Sequence, residues 1–253
     1  MVEGYFPFTS IFFILYQIER KMFMIVYQIR MKLFLLEDIA VNRIQEKITA
    51  FIDAGFSGSE KLIAFHEENK YKNYCYDLPY PLETDKIYKK SKIYTLTIRT
   101  IDIELAKYFK NVCVNNYTTE IKGLTADIRI LPKKMLETVY ALTPLVIKTH
   151  EGYWRTSMDL SEWEERVKVN LIKKWNRFNN EKIDENFDLY TSIEFKNKIP
   201  VSVTYKNIKL LGDKIQLMVA DNEMAQNLMY MALGTGIGEM NSRGLGFLGY
   251  RWL

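Results

Sequence analysis

GTGIGEMNSRGLGF, residues 234–247, lies just before the C-terminus of a 253-residue chain. With Gly249 included, six of the chain's 12 glycines fall here, at 234, 236, 238, 244, 246 and 249. Glycine at this density lets the backbone adopt positive φ and lets a second backbone or a phosphate approach closely. Two familiar phosphate-binding motifs are excluded. A P-loop closes on Gly-Lys-Ser/Thr, which is absent here. The dinucleotide fingerprint fails because Glu239 and Asn241 stand where its glycines are required, and because this loop follows a helix at the chain end instead of a first strand. A helix terminator followed by a tight hairpin accounts for part of the pattern, since helices commonly end on glycine. Repetition over a dozen positions favours a binding loop built on Gly234, Gly236, Gly238, Gly244 and Gly246. Arg243, inside the loop, is placed to meet a phosphate.

Outward from the loop, residues 222–233 read as a short helix and 245–252 as a closing strand. The clearest helix spans 160–178, where Leu160, Trp163, Val167, Leu171, Trp175 and Phe178 recur at steps of three and four. Ser161 is the expected cap, with Glu164 at the capping-box position. Strands are expected over 136–148, 188–196, 199–207 and 208–219. In the first half, 24–36 alternates as a strand. Asp38 is the expected cap of a helix carrying Ile39, Ile44, Ile48, Phe51 and Ile52. Strands over 71–78 and 92–99, a helix near 102–111 and strands within 117–132 follow. Strand, helix, strand, strand, helix, strand is the ferredoxin-like order, and the second half reads as a decorated copy. The expected fold is therefore α+β, with two tandem ferredoxin-like (RRM-like) subdomains and mostly antiparallel sheets. The units cover residues 24–133 and 134–253, with 1–23 as an N-terminal extension.

Composition sets wide limits. A net charge of +4 permits an RNA partner without demanding one. The apolar run between Phe6 and Tyr16 is too short to span a bilayer, and its basic residues follow it instead of preceding it as in a secretory signal. No membrane partner is expected. Cys75 and Cys113 form no CxxC pair or Cys/His cluster, so neither a metal nor another cofactor is expected, and a reduced cytoplasmic setting fits. The two histidines are His66 and His150. Cleavage of RNA by its own 2′-hydroxyl needs one group to take a proton and one to deliver it. Histidine suits this because its ordinary pKa is about 6.5, and a nearby lysine can stabilise charge on the phosphorus centre. Lys86, Lys89, Lys90 and Lys92 with Tyr88 and Tyr94, and Lys173, Lys174 and Arg177 with Trp175, are candidates to follow an RNA backbone. A solvated helix or loop face is the stronger explanation of either group.

The spacing Gly236-x-Gly238-x5-Gly244-x-Gly246 resembles the C-terminal glycine-rich signature of the repeat-RNA processing endoribonucleases of CRISPR systems, within the RAMP superfamily of RNA-binding proteins. Asn170-Leu171-Ile172-Lys173-Lys174-Trp175 resembles the family's basic helix. Phe65-His66-Glu67-Glu68 followed by Lys72 resembles its catalytic segment. The resemblance spans roughly residues 24–253. It implies that His66 and Lys72 are catalytic, and that the loop with Lys173 and Lys174 binds CRISPR repeat RNA. It also implies cleavage without metal, giving 2′,3′-cyclic phosphate and 5′-hydroxyl ends. A surveillance complex and a second copy of the chain are further expected partners. The family's usual tyrosine falls at Phe51 here, leaving Tyr71 as a substitute hydroxyl or none. Two rivals remain: a non-catalytic RNA-binding relative, and an unrelated α+β protein whose glycines only build a hairpin.

Overall fold

The computed structural model describes residues 24–58, 63–64, 67–68, 70–206 and 208–253. The N-terminal unit runs β1 (Val26–Leu35), β2 (Ile39–Ala40), α1 (Ile44–Ala54), β3 (Tyr74–Tyr76), β4 (Ile87–Tyr88), β5 (Ile93–Thr100), α2 (Ile103–Asn111) and β6 (Ile121–Leu131). Its main sheet has the order β3-β5-β1-β6 and is antiparallel throughout. In β1 the period of two sends Ile29, Met31 and Leu33 into the core and leaves Arg30 and Lys32 exposed. Ile44, Ile48, Phe51 and Ile52 of α1 meet them from one side.

The C-terminal unit runs β7 (Leu136–Ala141), α3 (Leu160–Asn179), β8 (Tyr190–Phe195), β9 (Val201–Tyr205), β10 (Ile208–Gly212), β11 (Ile215–Val219), α4 (Glu223–Thr235) and β12 (Leu248–Trp252). Its antiparallel sheet has the order β12-β7-β11-β8. Without the β9–β10 hairpin and the short β2–β4 pair, both sheets place their fourth, first, third and second strands side by side. Two ferredoxin-like units are therefore present, and the hairpin is the decoration on the second.

Several local expectations are corrected. Asp38 caps no helix: its Oδ1 accepts the amide of Lys90 at 2.7 Å, while Ile39 pairs with Tyr88 in β2. Ile39 suits an apolar helix face or a strand equally, so periodicity could not separate the two. Asp159, not Ser161, caps α3, accepting the amide of Glu162 at 2.8 Å. β7 ends at Ala141, because the following amides of Leu142 and Thr143 turn to the carbonyl of Phe247. The stretch 71–78 keeps only a three-residue strand, since Asn73 adopts φ +54° just before it. The strand expected over 208–219 breaks at Asp213. That buried carboxylate accepts from Tyr153 Oη (2.8 Å), Trp154 Nε1 (2.6 Å) and Asn197 Nδ2 (2.9 Å).

α4 joins the two halves. Leu228 through Thr235 are all buried, as for a helix surrounded by protein on every side. The core around it draws Met24, Val26, Ile101 and Leu131 from the N-terminal unit into the packing of the C-terminal one. Gly234 belongs to this packing and not to an RNA surface. A Cβ there would stand 2.7 Å from Ile101 Cγ2 and 3.2 Å from Val26 Cγ1.

Candidate nucleic-acid interface

The glycine-rich loop begins where α4 stops. The Gly236 amide donates to Ala232 O at 2.8 Å, and the chain then folds back on itself. Ile237 N donates to Gly246 O (2.9 Å), Glu239 N to Val146 O (2.9 Å) and Gly246 N to Pro144 O (2.8 Å). Gly246 sits at φ +66°, and an added Cβ would lie 1.9 Å from Ile237 O. Gly244 rests on the Tyr76 ring, and its carbonyl accepts from Gln45 Nε2. The inner half of the loop is thus a packed structure; only its outer half, Gly238–Ser242, borders open space.

Lys174 lies beneath the loop, 3% exposed. Its Nζ donates to Gly236 O (2.9 Å), Gly238 O (3.2 Å) and Asn241 Oδ1 (2.7 Å). Burial lowers its pKa to about 7, against the opposing pull of Cys75 and Glu239. The expected solvent-facing role is corrected: position 174 shares the buried face of α3 with Val167, Leu171 and Trp175. Lys173, one residue earlier, is exposed on the other side of the helix. Asn241 continues the arrangement, donating from Nδ2 to Ile237 O (2.9 Å) and Leu245 O (3.0 Å).

Arg243 is also engaged. Its Nη1 donates to Asp53 Oδ2 at 2.6 Å, at the last turn of α1, and its guanidinium lies 5.7 Å from the Tyr205 ring on β9. It stitches the loop to α1 and the hairpin. It is not the free phosphate ligand expected from its place in the loop.

A cleft of about 570 Å³ opens between the outer loop, α3 and residues 70–74. Lys72 lines it, donating from Nζ to Glu68 O at 2.8 Å, and burial lowers its pKa. Tyr71 stands half-buried in the same wall, its hydroxyl pKa raised by burial and by the Glu239 carboxylate. Arg177 and Lys148 add positive charge to the lining, and Lys173 borders an adjoining groove with Arg166. Glu239 balances part of this charge, 3.5 Å from Arg166 and 4.0 Å from Lys148. His66 lies outside the described residues, four positions before Lys70. Phe51 is fully buried in the N-terminal core.

The stretch between Lys86 and Tyr94 does not join the cleft. Tyr88 and Tyr94 are buried, and Lys89 and Lys92 pair with Asp85 and Glu83. Asn241 and Asp53 were not singled out from the sequence, although each carried a signal. Asn241 is the one side-chain amide in the loop, with two N–H donors and a carbonyl acceptor. Asp53 is a carboxylate at a helix C-terminus, where the dipole disfavours it unless a cation answers. Among the described residues no group of three or more His, Cys, Asp or Glu could hold a metal, and no helix is long and apolar enough to cross a membrane.

Two ferredoxin-like units packed around α4, with a glycine-rich loop following that helix, make up the fold. Residues 130–250 match the family described as "CRISPR associated protein Cas6, C-terminal". Solved structures agree on the fold over most of the chain. One titled "CRISPR associated protein Cas6" superposes with a TM-score of 0.66 at 20% identity, covering 89% of this chain and 99% of that one. "An RAMP protein binding different RNA substrates" gives 0.67 at 17% identity, with the same coverage. A Cas6 product complex gives 0.60 at 15% identity, covering 90% of this chain and all of the other. No curated protein matches the chain by sequence.

Proposed function

We propose that this chain binds CRISPR repeat RNA and cuts it, as a metal-independent endoribonuclease that produces guide RNAs. The observation that carries the proposal is the cleft itself. It brings the segment following His66, the basic flank of α3 and the outer glycine loop around one space of about 570 Å³. The family match and the relatives whose titles name RNA substrates and a product complex support this assignment.

In the proposed reaction His66 takes the proton of the 2′-hydroxyl as its oxygen attacks phosphorus. The bond to the 5′-oxygen breaks, and that oxygen takes a proton from water, while the proton held by His66 returns to solvent. The products are a 2′,3′-cyclic phosphate and a 5′-hydroxyl. Lys72 offsets charge on the phosphorus centre. Tyr71, which lines the cleft, is the candidate hydroxyl, since Phe51 is in the core and carries none. The test is incubation of the purified chain with its repeat RNA in EDTA, followed by end-group analysis of the fragments. Activity lost in EDTA and restored by magnesium overturns the mechanism.

The buried Phe51 also favours a second reading, an RNA-binding relative without cleavage. Tight binding of repeat RNA with no product, under conditions where the protein is folded, selects it.

A further inference from the structure

Lys174 sits in a place that an apolar side chain of similar length would fill at lower cost. Burying an ammonium is expensive unless every proton finds an acceptor. Here all three do: two loop carbonyls and the Asn241 carbonyl oxygen. Asn241 then secures two more carbonyls, those of Ile237 and Leu245. Together the pair turns four loop carbonyls inward. The amides of Gly238, Met240 and Ser242, all on the cleft wall, find no acceptor among the described residues. Gly238 (φ +71°), Met240 (φ +59°) and Gly244 (φ +80°) alternate left-handed positions with the short turn Asn241–Arg243. Successive amides in such a backbone form a concavity suited to anions.

We propose that Lys174 and Asn241 are positioning residues: they hold the loop carbonyls inward so that the outer amides face the cleft, where an RNA phosphate binds them. Neither side chain touches the RNA; both act through the loop backbone. This rests on the cleft's reading as an RNA site and adds how the loop is made ready before RNA arrives.

The experiment compares Lys174→Met, Asn241→Leu and the double variant with the wild-type chain. Repeat-RNA affinity is measured at a temperature where circular dichroism shows each protein folded, alongside amide hydrogen exchange over residues 236–246. Each single variant is expected to lose affinity by about tenfold. The double variant should lose little more, because both residues serve one brace. Exchange over 236–246 should rise in all three while β1 and β5 stay protected. If Lys174→Met does not fold, Asn241→Asp, which keeps the acceptor for Lys174 and loses the two outgoing bonds, should give the same affinity loss. Wild-type affinity in folded variants overturns the proposal and reduces the pair to structural support. Additive losses overturn the shared brace. Unchanged exchange overturns it without reference to RNA. A wild-type chain that binds no repeat RNA, yet shows the exchange change in its variants, sinks the RNA assignment and leaves the brace standing.

Discussion

Gly246 and His66 separate two kinds of residue in this chain. At Gly246 the backbone is left-handed and the next heavy atom across the gap is a carbonyl oxygen. Gly246→Val combines a strained φ for a β-branched residue with overlap against backbone that cannot rotate away. Its cost is about 3 kcal/mol or more, read as a lower urea midpoint. A midpoint equal to the wild type's would mean that the loop is not packed in this way. His66→Ala belongs to the other kind. A proton-transfer group contributes about 10²–10⁴-fold to rate, so single-turnover cleavage should fall by that factor with RNA affinity nearly unchanged. Lys72→Ala should lower both, since its charge attracts phosphate before and during the reaction. Cleavage by His66→Ala at the wild-type rate removes the histidine from the chemistry.

Among elements, α3 shows what a sequence can and cannot reveal. Its apolar stripe made the helix legible from Leu160 to Phe178, as the alternation of β1 and the repeated element order made the two ferredoxin-like units legible. Of the concentrated glycines, Gly238 lines the cleft, while Gly234, Gly244 and Gly246 pack against neighbouring protein atoms. What stayed hidden was the inside of the site. Lys174 and Asn241 are 67 positions apart, and Arg243 and Asp53 are 190 apart; such pairs arise from tertiary packing, which local periodicity does not encode. A lysine on a basic helix also looks the same in sequence whether its face is wet or dry.

The pH dependence of stability can distinguish these environments. An unfolded lysine holds its proton up to about pH 10.4, whereas Lys174 in the folded chain releases it near about 7. Between those values the unfolded state binds more protons, so this residue makes stability rise with pH. The term is absent from Lys174→Met. The stability of wild type minus that of the variant, from urea titrations, should therefore be larger near about pH 9 than near about pH 6.5. A difference that stays flat or shrinks contradicts a Lys174 pKa lowered by burial.

For the whole molecule, the question is whether two similar units unfold as one. The shared core argues that they do, because Met24, Val26, Ile101 and Leu131 pack among C-terminal residues around α4. Arg99 adds a polar link across the same boundary. It is 6% exposed on β5, donates to Gln28 Oε1 (2.9 Å) and to Leu248 O on β12 (2.6 Å), and lies 4.5 Å from the Phe247 ring centroid. The chain's four tryptophans, Trp154, Trp163, Trp175 and Trp252, all belong to the C-terminal unit. Tryptophan fluorescence therefore follows that unit alone, while far-ultraviolet circular dichroism follows both. In urea the two signals should give one coincident transition. Arg99→Leu leaves a buried carbonyl and the Gln28 amide oxygen without their donor and removes a desolvated cation from two aromatic rings, at a cost of about 2–4 kcal/mol. Because the apolar core across the boundary is untouched, both signals should move to lower urea together. If fluorescence and circular dichroism separate in the variant, Arg99 and not the shared core is what couples the units; if they separate in the wild type, the two units are independent despite the helix between them.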